Sequence, residues 1–84
     1  MTPREFQDQM VTLLYSLCDA RALGPLSTLL RAWPIYNGFS DEWGALAVAL
    51  KTVRMRQRDA LSPAQMELVI SLQHAAESAL EGRV

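Results

Sequence analysis

The sequence predicts an all-α fold: a compact bundle of about four helices, one of them short, with an aromatic-rich central loop. Apolar residues recur at spacings of three and four through residues 6–18, 43–53 and 66–80, the pattern of helices with one buried face. Two complete helix starts, Thr2-Pro3-Arg4-Glu5 and Ser62-Pro63-Ala64-Gln65, set a cap, a first-turn proline and a third-position acceptor in order. Between them, Ala32–Trp43 (AWPIYNGFSDEW) holds four of the six aromatic residues without a strict helical or strand period.

Helix one is expected over Pro3–Arg21, with Thr2 and Glu5 closing a capping box. Phe6, Met10, Leu13, Leu14, Leu17 and Cys18 share its core face, flanked by Val11 and Tyr15. Gly24-Pro25 is expected to end it and to start a short helix two, Pro25–Arg31, carrying Leu26, Leu29 and Leu30. Two turns do not hold alone in water, so this helix must be packed by its neighbours.

The aromatic stretch bends the chain. Pro34 restrains Trp33, Asn37-Gly38 offers a turn, and Ser40 is placed to cap the next helix. In so small a protein this much aromatic area reads first as a lid across the helices and second as a binding rim.

Helix three is expected over Asp41–Arg58, with Trp43, Leu46, Ala47, Leu50 and Val53 buried. Asp41 and Glu42 suit the positive end of its dipole, and Arg56 and Arg58 the negative end. Lys51, Arg54 and Arg58 share one edge, the one concentration of charge in the chain. A solvated edge, or ion pairs to Asp8, Asp19 or Glu67, accounts for it most simply; an acidic protein partner comes next, then nucleic acid.

Helix four is expected from the Ser62 cap to Leu80 or Glu81. One apolar stripe runs through Met66, Val69, Ile70, Ala76 and Leu80, and a second through Leu68, Leu72, Ala75 and Ala79. Together they cover about half the circumference, more than the ~100° a surface helix needs. Either helix four is central, or the second stripe meets another copy or another protein.

Eighty-four residues make a single domain, and 50% hydrophobic content against 20% charged suggests apolar surface kept for a partner. A formal charge of −1 gives no global attraction to nucleic acid or anionic membrane. One cysteine, Cys18, excludes an internal disulfide and a thiolate metal cluster. With no signal-like start and no run long enough for a membrane span, the default location is the cytoplasm.

Catalytic equipment is sparse. His74 falls on a polar helix face with Ser71, Ser78, Glu67 and Glu81, a line without an oriented base or an oxyanion site. Ser27 and Thr28 have no base beside them, and the four glycines form no phosphate loop. No cofactor, metal or small-molecule substrate is indicated.

Leu61–Val69 (LSPAQMELV) resembles, over nine residues, the opening helix of the helix-turn-helix domains of bacterial response regulators. The resemblance implies a basic recognition helix next, where this sequence offers Glu81 and a single arginine, Arg83. The leading expectation is therefore a non-enzymatic protein-interaction or regulatory module of the adaptor, chaperone, inhibitor or immunity type. It is expected to self-associate, as a homodimer, through Leu68, Leu72, Ala75 and Ala79, with Trp33, Tyr36 and Phe39 as aromatic anchors at the rim. The alternative is a small DNA-binding or transcription-associated regulator using Lys51, Arg54 and Arg58.

Overall fold

In a computed structural model of the chain, residues 2–35 and 40–81 are described. The order is α1 (Pro3–Asp19), α2 (Leu23–Leu30), α3 (Ser40–Arg56), a 3-10 turn (Arg58–Ala60) and α4 (Pro63–Glu81). This is the expected four-helix all-α bundle, with α2 as the short member.

Both capping boxes form. The Glu5 amide donates to Thr2 Oγ1 at 3.1 Å and the Thr2 amide to Glu5 Oε1 at 2.8 Å. At α4 the Gln65 amide donates to Ser62 Oγ at 3.1 Å and the Ser62 amide to Gln65 Oε1 at 2.8 Å. Each box satisfies two amides that would otherwise be left over at a helix start.

The corner between α1 and α2 differs from the expectation. Helix one stops at Asp19, and Arg21, at φ 56°, takes the left-handed position in place of Gly24. The Ala22 amide donates to the Leu17 carbonyl at 2.9 Å and the Arg21 amide to the Cys18 carbonyl at 3.0 Å. That pair of bonds is a Schellman ending, with an arginine where glycine is usual. Gly24 and Pro25 therefore lie inside the first turn of α2, where a proline without an amide hydrogen is tolerated. A Cβ at Gly24 would stand 3.3 Å from Gln57 Nε2. The small residue thus lets α2 approach the end of α3, and Gln57 Oε1 lies 3.2 Å from the Thr28 hydroxyl there.

At its far end α3 stops at Arg56, two residues earlier than expected, and the chain tightens into the 3-10 turn that Arg58 opens. Helices α3 and α4 form the most extensive pairing, α1 packs on α4 and α2, and α2 rests on α3. The core joins Phe6, Met10, Leu13 and Leu17 of α1 to Leu29 of α2. From the other side come Leu46, Ala47, Ala49, Leu50 and Val53 of α3, and Val69, Leu72 and Ala76 of α4. Cys18, expected on this face, is exposed.

Part of the aromatic stretch does close over the bundle. Trp33, which precedes a cis proline, is half-buried with its ring 6.2 Å from Phe6. Trp43 meets the same phenyl ring edge-on at 5.1 Å and 74°. Phe6 thereby links α1, the loop and α3 through one side chain, in the tilted arrangements that ring quadrupoles favour. Tyr36 and Phe39 lie outside the described residues.

Candidate interaction surfaces

Two of the surface grooves differ in chemistry. The first follows the seam of α1 and α2, encloses about 300 Å³, and is lined by Val11, Leu14, Tyr15, Cys18, Leu26, Leu30 and Trp33. None of these seven carries a formal charge. The helical spacing of residues 11, 14, 15 and 18 places them on one side of α1 beside its core face. Tyr15 is 69% exposed and Leu30 51%, and Leu23 at the start of α2 is equally open. Here the sequence pattern left more apolar area than four helices can cover among themselves.

The second groove runs between the end of α3 and the first half of α4. It encloses about 390 Å³ and is lined by Arg54, Met55, Arg58, Met66 and Ile70. Beside it, Arg54 Nε donates to Gln73 Oε1 at 2.8 Å, and Gln73 Nε2 donates to Glu77 Oε2 at 3.0 Å. Gln73 is nearly fully buried, so its amide needs a partner at each end. The two charged side chains supply them, and the guanidinium is held in one orientation as a result. The side chains of Lys51 and Arg58 have no hydrogen-bond or ion-pair partner among the described residues, so the expected pairing of this edge with Asp8, Asp19 or Glu67 does not form there.

The expected contact stripe on α4 is divided by the packing. Leu72 has no exposed surface and belongs to the core, Leu68 and Ala75 are half-buried against it, and Ala79 is exposed. The physical reason is the angle at which α4 lies. Its buried face is centred on Gln65, Val69, Leu72, Gln73 and Ala76, between the two stripes rather than on one of them. Ile70 and Leu80, expected inside, are each more than a third exposed. From Ser78 to Glu81 every residue is exposed, which leaves Ala79 and Leu80 beyond the end of the core.

The basic edge is also rearranged. Arg58 leaves the helix that carries Lys51 and Arg54, yet Arg54 and Arg58 still face one groove while Lys51 lies outside its lining. Trp33 lines the α1–α2 groove and also a neighbouring depression with Leu30, Arg31, Asp41 and Glu42. Sequence reasoning missed the α1–α2 groove because Val11 and Tyr15 were counted as flanks of a core stripe. They lie at the open seam of α1 and α2, while Leu13 and Leu17 beside them are buried.

Ser71, His74 and Ser78 are all exposed on α4. Among the described residues no three His, Cys, Asp or Glu side chains gather closely enough to hold a metal ion, and no helix is long and apolar enough to cross a membrane. The described residues thus form a four-helix all-α unit whose surface grooves include an uncharged one and a basic one. No protein-family model, curated protein or solved structure matches it.

Proposed function

We propose that this chain is a non-enzymatic protein-interaction module that associates with a second copy of itself through the α1–α2 groove. The uncharged lining of that groove carries the reading. A twofold contact sets one patch against the same patch of the partner, so a patch without charges needs no opposite charge placed to match it. The formal charge of −1 adds little repulsion between copies. A standard interface covers about 800 Å² on each partner. Against the 5416 Å² surface of the unit this is a modest share, and Tyr15 and Leu30 provide its exposed apolar centre. The aromatic anchor of the face is Tyr15, a residue type enriched at interface centres.

The test is the solution mass across a concentration series, combined with the rate of maleimide addition to Cys18, the sole thiol, which lies within the groove. The reading expects mass to rise toward a dimer while the thiol becomes protected, and expects Tyr15→Glu to abolish both with helicity intact. A strict monomer whose thiol reacts at one rate throughout would sink self-association by this face.

A further inference from the structure

The basic groove between α3 and α4 shares no lining residue with that contact. We propose that it docks an acidic amphipathic segment of another protein, one that presents carboxylates beside large aliphatic side chains. Three features argue for this occupant.

The lining is divided between charge and apolar surface. Met55, Met66 and Ile70 form the apolar part, and Met55 is 59% exposed. Methionine side chains are unbranched and polarizable, suited to contact with aliphatic groups of varied shape. Arg54 and Arg58 stand at the same groove, and a guanidinium fork fits a carboxylate with two parallel bonds.

Arg54 is set in place before any ligand arrives. Its Nε is committed to Gln73 Oε1, Gln73 is anchored on Glu77, and the amide between them is buried. The Nη groups have no partner among the described residues. A donor already fixed in orientation loses less freedom on binding. Arg58, equally unpartnered, gives the groove a second cation.

The surroundings disfavour a nucleic acid. Glu77 is bound to the same Gln73 amide that holds Arg54, and the formal charge of −1 adds no attraction for a long polyanion. A short segment with a few carboxylates needs only the two guanidinium groups of the groove.

The experiment follows the methyl resonances of Met55, Met66 and Ile70 in the full chain. The probe is a synthetic helical peptide with leucines at i, i+3, i+4 and i+7 and glutamates flanking them. Controls are the same peptide with glutamine for glutamate and a short DNA duplex. The proposal expects saturable shifts at the three methyls with the glutamate peptide, at least about tenfold weaker binding of the glutamine peptide, and weakening with added salt. Arg58→Gln should lower affinity severalfold and Arg58→Glu further, with the helical spectrum unchanged, whereas Tyr15→Glu should bind as the parent does. Absence of saturable shifts, equal binding of the two peptides, or displacement of the peptide by duplex DNA at lower concentration would each overturn it, the last assigning the surface to nucleic acid.

Discussion

Gln65 Nε2 donates to Ser16 Oγ at 2.8 Å and lies 3.3 Å from the Ser16 carbonyl oxygen, across 49 positions of sequence. The same side chain closes the capping box of α4 through its Oε1. One buried amide therefore both starts α4 and ties it to the last turns of α1.

Replacing Gln65 by glutamate separates those tasks. An ionised carboxylate still accepts from the Ser62 amide and can accept from the Ser16 hydroxyl, but it sets an unpaired charge against the Ser16 carbonyl oxygen in a buried place. The expected loss is about 1–3 kcal/mol by denaturant titration, with Ser16→Ala losing about 0.5–1.5 kcal/mol.

Two residues of one sequence stripe should behave oppositely. Leu72→Ala empties space in the core and should cost about 2–5 kcal/mol. Ala79→Glu, in the exposed last turn, should fall within about 0.5 kcal/mol of the parent. Thermal unfolding of the two variants side by side checks both.

At the α1–α2 corner, Arg21 holds a backbone conformation that costs an L side chain about 1–2 kcal/mol. Arg21→Gly relieves that cost and adds some unfolded-chain entropy, so a net gain of about 0.5–1 kcal/mol is expected by thermal unfolding. Arg21→Val should instead destabilise, since a β-branched residue fits that region worst.

Glu5 supplies the pH dependence. The Thr2 backbone amide, and after it the Thr2 hydroxyl, hold its carboxyl below the ordinary carboxylate value. A depressed folded value means the contribution is complete above the unfolded value of about 4.3 and is lost as pH falls through the folded one. The first turn of α1 should fray in that acid window. The Glu5 side-chain resonance should titrate below its position in an unfolded peptide and move only part of the way back up in Thr2→Ala, which removes the hydroxyl and keeps the amide.

The elements were legible in the sequence because their signals are local. Thr2-Pro3…Glu5 and Ser62-Pro63…Gln65 depend on residues three apart, and both boxes formed as expected. The corner was not, because glycine is the usual occupant of a left-handed position and the chain used Arg21 beside an available Gly24. The surfaces were legible in part. That α4 carries more apolar arc than a surface helix needs could be counted, but which half faces inward depends on its angle against α3 and α1, a property of three segments at once. The Gln73 bridge was beyond reach for the same reason: its two partners sit 19 residues before it and 4 after, and only packing makes the position buried.

The placement of both tryptophans against Phe6 has a practical consequence. The chain contains two indoles, and both report on a single phenyl ring near the start of α1. Their ultraviolet emission is thus a built-in optical gauge of whether that end of the first helix is seated. It needs no added dye.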